Sequence, residues 1–341
     1  MPVATKTPRG RNFVRSIMAQ VIAKNSPAEY AAKRWGRYEG EIISKAVVEA
    51  VVSGEVGYLP TEFFDALKGG AIIGKIGGWR DVDFNVRALA ASGSSTAYWQ
   101  TQAAPKPISK TTLTGAELRP ATVAGIVVVT REALQHGGEA TERTLQRDLE
   151  AAVIGMLDSS IIDINHTGVP GEVPASLTAG VSPIPATSDC GPSGDVEAMI
   201  ETFQGDLSAA YFVTDPVTAA QLALARDAGG GPYFIDASVR GGSILGIPLV
   251  VSRYSPRDSS GGQLALIDPT AVALALGDIE TSQSQHTTLA MVDNPTGAVE
   301  QVSMFQTNSV ALRVEINANW TAMQPDAVSV LTGCDWTGCG A

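Results

Sequence analysis

Few residues in this chain are spaced for chemistry. Gly69-Gly70-Ala71-Ile72-Ile73-Gly74-Lys75-Ile76 comes within one residue of a phosphate-binding loop. Such a loop cradles phosphates on its backbone N–H groups, and its lysine reaches the outer phosphates. The pattern requires Ser or Thr where Ile76 stands, to hold a magnesium ion, and a core strand before it. Phe63 to Lys68 has helical character instead. A hinge with a surface lysine fits better, and a nucleotide-binding enzyme remains a rival reading. His136, His166 and His286 lie in Gly-rich or polar segments. None has a metal-ligand partner four residues on, and no Cys-x-x-Cys occurs. A Gly-x-Ser-x-Gly nucleophile elbow is absent as well. Asp158 and Asp163 fall five apart on a helical pattern, so their carboxylates do not share one face. A solvated or interface role is expected for them. Cys190, Cys334 and Cys339 do not make a disulfide framework. Cys334 and Cys339, in a Gly-rich tail, could pair with each other or across subunits, and free thiols are the expectation. The distinctive features serve shape rather than reactive groups: no catalytic residue, cofactor or metal is expected.

The elements around these residues tell more. Asp81 to Leu89 alternates polar and apolar residues, the period of a strand with one buried face. A second strand-like run covers Glu117 to Thr130 and ends in Ile126-Val127-Val128-Val129. The 27 residues between them are mostly Ala, Ser, Thr, Gln, Lys and Pro, with Tyr98, Trp99, Ile108 and Leu113 as the sizeable apolar groups. A structureless loop of that length is uncommon inside a compact domain, and a two-stranded arm is marginal by itself in water. Such an arm makes physical sense when another copy of the chain supplies the surface it lies on. Tyr98 and Trp99 are the expected anchors, because aromatic residues carry a disproportionate share of interface energy.

The chain has 341 residues, 44% hydrophobic and 17% charged, enough for one large domain or two ordinary ones. No apolar run approaches the ~18 residues of a membrane span, and Arg15 interrupts the one short apolar stretch near the N-terminus, so no secretion signal is read there. The net charge of −11 is unevenly spread. Residues 1–45 hold nine Lys or Arg against three Glu, giving +6, and the remainder carries −17. A basic arm on an acidic body suits subunits that grip each other electrostatically. Arg9, Arg11, Arg15, Arg34 and Arg37 are therefore candidate subunit-interface residues. Nucleic-acid binding by the arm is the sharper alternative, although the acidic body would repel nucleic acid.

Ser26-Pro27-Ala28-Glu29 reads as a capping box opening a helix through Trp35 toward Tyr38. A stronger helix is expected from about Thr141 to Ile164, where Leu145, Leu149, Val153, Leu157 and Ile161 recur at helical spacing. A turn at Arg131 to Gln135 precedes it, and Val169 to Gly194 reads as a loop. From Asp195, short helices alternate with short strands: helix to Leu207, strand Tyr211–Val213, a helix opened by Asp215-Pro216, then strands Ile247–Val251 and Leu264–Ile267. The last expected strand alternates over Val310, Leu312, Val314 and Ile316.

Taken in order, four passages resemble the major capsid proteins of tailed bacteriophages, the Hong Kong 97-type capsid fold. Tyr98-Trp99, Ser109 and Ala124–Leu134 look like that family's extended-loop tip and return strand. Leu157-Asp158 matches its spine-helix ending. Gly242–Val251 is similar to its Leu-Gly-x-Pro-Val strand. Gln306–Leu331, with Trp320, Pro325, Asp326 and Ala327, is similar to its closing strand and tail. Two departures stand out. Gln100 and Gln102 occupy a region where the family often carries a carboxylate, and Lys106 and Lys110 lack a matching Asn or Glu for a covalent crosslink.

The resemblance implies an α+β, wedge-shaped subunit. Residues 1–60 would form an N-terminal arm reaching a neighbour, and 81–130 an extended β-hairpin loop over an adjacent subunit. The peripheral domain would comprise 61–80, 131–194 and 298–341, with the spine helix at about 141–164. An axial α/β domain would cover 195–297. The implied function is self-assembly, as hexamers and pentamers, into an icosahedral shell enclosing double-stranded DNA without reading its sequence. Scaffolding, portal and decoration proteins are further partners it suggests, with no membrane, assembly in the host cytoplasm and residence in the virion. An encapsulin-like nanocompartment shell is the alternative of the same fold.

Overall fold

In the computed structural model of the chain, the run Gly261–Ile267 is buried at every position. A strand with no exposed face has to be paired on both edges and covered on both sides, and its neighbours do both. The structure describes residues 15, 18–19, 22–23, 26–36, 41, 69–92, 112–136, 138–187, 191–227, 229–284, 287–290 and 301–336. The helices are α1 (Pro27–Trp35), α2 (Ile72–Lys75), α3 (Arg131–His136), α4 (Gly138–Ile162), α5 (Pro192–Thr202) and α6 (Pro216–Leu224). The strands are β1 (Arg80–Asp81), β2 (Arg87–Ser92), β3 (Thr112–Glu117), β4 (Ala121–Thr130), β5 (Ile184–Pro185), β6 (Tyr211–Thr214), β7 (Ala237–Ser238), β8 (Gly241–Ile244), β9 (Ile247–Val251), β10 (Arg257–Asp258), β11 (Gly261–Ile267), β12 (Val272–Ser284), β13 (Thr288–Ala290), β14 (Gln301–Ser303), β15 (Ser309–Ala322) and β16 (Val328–Cys334).

Two compact units are present. Lys75–Ala121, Leu157–Leu276 and Ala318–Ala341 form one; Met1–Gly74, Thr122–Met156 and Gly277–Asn317 form the other. The first holds an eight-stranded sheet of order β5-β16-β11-β6-β9-β8-β7, with β10 beside β11. The buried β11 lies antiparallel to β16 on one edge and to β6 on the other. Strands β6 and β9 are parallel. A parallel pair needs a long crossover, and α6 begins it. Asp215 caps α6 by accepting from the N–H groups of Val217 and Thr218, and Pro216 at the first helical position has no N–H to lose. Val196 and Met199 of α5 and Ala219 and Leu222 of α6 join Phe212, Leu264, Leu266 and Leu331 in one core. Burying each large apolar side chain contributes roughly 1.5–3 kcal/mol.

A second sheet runs β1-β12-β15-β4. Along β15, Val314, Ile316, Ala318 and Trp320 are buried while the residues between them are not, the expected period of two. In the other unit, Leu145, Leu149 and Val153 of α4 are buried at every fourth residue, a stripe that Leu157 and Ile161 continue. Gly125 of β4 lies beside α4: a Cβ there would be in ordinary contact with Val153, at 3.9 Å.

Several expectations change. The alternating run at 81–89 is two strands in two sheets, broken by a turn at which Asn85 takes φ 61°. Local alternation cannot show that the chain changes partners midway. The run at 117–130 breaks likewise at Leu118–Pro120. The expected turn at 131–135 is helix α3, and the long helix spans Gly138–Ile162. Ser26 makes no side-chain cap bond, although α1 does end at Gly36, whose φ is 112°. Residues 328–334 form β16, which pairs antiparallel with β11 in the eight-stranded sheet.

Candidate assembly surfaces

Tyr98, Trp99, Arg9, Arg11 and Arg37 lie outside the described residues. The structure brings the other two candidates, Arg15 and Arg34, together around one indole. Arg15 is buried with its guanidinium 5.3 Å from the Trp35 ring centre. Arg34 sits 5.8 Å from the same ring and 5.9 Å from that of Tyr30, and donates to the Tyr30 hydroxyl at 2.8 Å. Tyr30 meets Trp35 edge to face at 5.8 Å. These are contacts within one chain, each cation–π pair contributing roughly 0.5–1 kcal/mol at an exposed site and more as water is excluded.

The chemical candidates resolve into scaffold. Lys75 closes a single helical turn and donates to the Val251 carbonyl at 3.0 Å, while Ile72, Ile73 and Ile76 are buried. Its neighbours are anchored apolar groups, not a loop of free N–H donors. Asp158 corrects the expected solvated or interface role: it is fully buried and accepts from the Ser252 hydroxyl at 2.6 Å. Periodicity placed it on α4 but could not reveal which chain segment covers that face. Among the described residues, no group of three or more His, Cys, Asp or Glu is placed to hold a metal ion. None of the described helices is long and apolar enough to cross a membrane.

Three buried carboxylates hold the sheet's surroundings in place. Asp195 accepts from the Thr187 N–H at 3.1 Å, the Thr187 hydroxyl at 2.7 Å and the Trp336 indole N–H at 2.8 Å. Asp268 accepts from the N–H of Asp206 at 2.9 Å and of Thr270 at 2.9 Å. Asp215 adds the Thr218 hydroxyl to its two cap bonds, with Arg257 Nη1 at 3.4 Å. Beside Asp195, the Cys334 thiol is buried and its pKa is pushed up, chiefly by loss of water and then by the Asp195 charge. Exposed Asp206 and Asp258 are held below the usual carboxylate range by bonds from Ser208 and Ser260.

Among the described residues, three surfaces stand out. The first is the β2–β3 hairpin, antiparallel from Arg87↔Glu117 to Ser92↔Thr112. Arg87 lies over Gly115 so closely that a Cβ there would be 2.9 Å from its Cγ. Tyr98 and Trp99 belong to the segment that the hairpin closes. The second is a cleft of about 740 Å³ lined by Glu117, Arg119, Glu172, Trp320 and Asp326 among others. Its wall is fixed by Trp320 Nε1 donating to the Ala175 carbonyl at 2.9 Å and Asn319 Nδ2 to that of Arg119 at 2.6 Å. The third is the β7 end of the eight-stranded sheet, which is the edge of that sheet among the described residues, where β7 is two residues long. Ile235 is 81% exposed there and Leu245 69%. Sequence reasoning missed these two. The signal was Leu245-Gly246, a two-residue hairpin turn in which a bulky residue takes a place suited to Asn or Gly.

A family model described as the Phage capsid family matches residues 60–333. The "Capsid polyprotein" of Pseudomonas phage PAJU2 is 30% identical over 290 residues, 81% of this chain and 44% of that relative. The chain thus spans less than half the length of that curated relative. Among solved structures, a chain from Microbacterium phage Oxtober96 is similar at a TM-score of 0.56 and 19% identity, with 75% of this chain and 89% of that one covered. One from Gordonia phage Cozz gives 0.54 and 15%, covering 74% and 84%. The capsid of the native GTA particle gives 0.51 and 13%, covering 75% and 88%. At such identities the likeness is one of fold.

Proposed function

Because this chain belongs to the phage capsid family, we propose that it is a major capsid protein of Hong Kong 97-type fold, the repeated subunit of an icosahedral shell that encloses double-stranded DNA. The observation that carries this reading is the extent of the family match: residues 60–333 take in the hairpin, the long helix, both large sheets and the closing strand. Contacts between unlike patches of identical subunits close into rings, and many modest contacts per subunit add through avidity. The hairpin segment serves as the extended loop lying over a neighbour, with Tyr98 and Trp99 as its anchors. Residues 1–60 act as the arm. The stretch 195–297, extended by the β16 strand, is the axial part, and α4 is the spine of the peripheral part.

The shell wall encloses its DNA without reading its sequence. A net charge of −11 suits a wall that does not hold the packaged phosphates tightly. The subunit is structural and works without a catalytic centre. It assembles with further copies of itself in the host cytoplasm and ends in the virion. Negative-stain electron microscopy of the expressed protein, followed by nuclease treatment and analysis of the particle contents, tests this. Closed icosahedral particles holding protected DNA, when packaging partners are supplied, are expected. Particles filled with a protein cargo would indicate a nanocompartment instead, and a monodisperse monomer at high concentration would refute shell formation.

A further inference from the structure

The cleft at the base of the β2–β3 hairpin carries charge that its own lining does not balance. Glu117, Glu172 and Asp326 face it against a single cation, Arg119. Arg119 is already taken up by Glu117, at 3.5 Å. Glu172 and Asp326 are exposed, and neither pairs with a cation among the described residues. Apolar surface accompanies them: Val169 is 48% exposed and Val173 37%. The walls are set before a partner arrives. Val169 and Val173 exchange both backbone bonds at 2.9 Å. Behind them a Cβ on Gly168 would lie 2.5 Å from the Ala175 nitrogen. All the lining residues belong to one compact unit. The volume of about 740 Å³ falls within the roughly 300–1,000 Å³ of sites that take a ligand.

Two unpaired carboxylates beside apolar groups call for a cationic partner with apolar residues of its own, and they repel nucleic acid or an anionic surface. The chain itself carries that chemistry outside the described residues. Residues 1–14 hold Lys6, Arg9 and Arg11 and no carboxylate, with Pro2, Val3 and Phe13 among them. Residues 93–111 hold Lys106 and Lys110, again with no carboxylate. The arginines decide between the two segments. A guanidinium presents a planar fork that takes a carboxylate bidentately, which an ammonium group does not. Arg9 and Arg11 match Glu172 and Asp326 in number. Their segment leads into Arg15, which is anchored on Trp35 in the compact unit that does not hold the cleft.

We infer that this cleft seats residues 1–14 of a second copy of the chain, with Arg9 and Arg11 against Glu172 and Asp326. The inference rests on the reading of the chain as a shell subunit and adds the place where the arm lands. A segment of one copy in the cleft of the next is a contact between unlike patches, the kind that closes identical subunits into rings. The pairs lie at an exposed rim and are screened by salt, so their weight comes from repetition around the shell. Three full-length chains are compared with the parent: Arg9→Glu with Arg11→Glu, Glu172→Lys with Asp326→Lys, and all four substitutions together. Light scattering gives the concentration needed for particles, and thermal unfolding gives the stability of unassembled subunits.

Each double substitution should raise the concentration needed for particles about tenfold in low salt, and by less in high salt, at an unchanged melting temperature. The fourfold chain should return to near the parental value, because the charges have only changed places. Parental assembly by Glu172→Lys with Asp326→Lys would overturn the inference. So would a fourfold chain that assembles no better than the double variants, since the arm would then bind elsewhere. Rescue by Lys106→Glu with Lys110→Glu in place of the arm changes would give the cleft to residues 93–111 and overturn it as well. Should the lysines impair folding, Glu172→Gln with Asp326→Asn supplies the same comparison with a smaller rise. The donor copy is read by co-assembling chains that carry Thr7→Cys with chains that carry Ser182→Cys, an exposed position lining the cleft, under mild oxidation. A disulfide-linked dimer of the two kinds, absent from parent particles, is expected. A link that forms only inside a chain carrying both substitutions would show the arm closing on its own subunit and overturn the assignment to a second copy. A parent chain that forms no particles refutes the shell reading itself, an outcome distinct from particles that ignore the substitutions.

Discussion

Replacing Gly262 by alanine puts the cap of α6 to a quantitative test. Gly262 sits in the buried strand β11, and its Cα faces the Asp215–Thr218 corner at the start of α6. A Cβ there would fall well inside contact distance of Thr218 Oγ1 and Asp215 Oδ1, and 3.1 Å from Arg257 Nη1. The strand cannot retreat, because β6 and β16 hold both of its edges. The carboxylate must move instead, and the helix start loses its cap, a cost of about 0.5–2 kcal/mol. Hydrogen bonds to a charged group add roughly 1.5–3 kcal/mol when broken in a buried site. The Arg257 pair contributes less, since the arginine side chain is 29% exposed. Together these give a loss of about 2–5 kcal/mol. Urea unfolding of unassembled subunits, followed by far-ultraviolet circular dichroism, measures it. Gly194→Ala is the control of opposite sign: nothing lies within 4 Å of its added Cβ, and alanine in a helix is favoured over glycine by roughly 0.5–1 kcal/mol. A loss below about 1 kcal/mol for Gly262→Ala would refute the reasoning, because α6 would then be free to shift away from the sheet.

Three further outcomes are expected. Trp336→Phe removes the indole bond to buried Asp195 and should lower subunit stability by about 2 kcal/mol in the same unfolding assay; an unchanged midpoint would show that Thr187 alone satisfies the carboxylate. Cys334 should resist a thiol reagent in the native subunit and react on unfolding. Its folded pKa lies above the ordinary 9.0, so its contribution is fully present below that value and fades as pH rises past it, when only the unfolded thiolate forms. A native stability that climbs above pH 9 in the parent but not in Cys334→Ala would contradict this sign. Replacing residues 93–111 by Asn-Gly should leave a subunit of near-parental melting temperature that sediments without forming stable shells; normal shells would show the loop to be dispensable.

The sequence determined a good part of this molecule, and the parts it determined are those with a local physical cause. Asp215-Pro216 announces α6 because cap and first-turn chemistry act within three residues. The leucine and valine spacing announces α4 because a helix brings every fourth side chain to one face. The unbroken apolar run at 264–267 announces a central strand because only full burial tolerates it. The lack of ligand-spaced histidines and cysteines, with the order of four capsid-like passages, pointed toward shape and assembly. Tertiary structure alone decided what depends on distant partners. Alternation at 81–89 could not show that its two halves join different sheets. Spacing on α4 could not show that Ser252 would cover Asp158. Nothing local to 328–336 reveals that β16 will border β11 or that Trp336 will reach Asp195, 141 residues away in the chain. Leu245 makes the same point at its sharpest: its residue type argues against a left-handed turn, and the pairing of β8 with β9 imposes one.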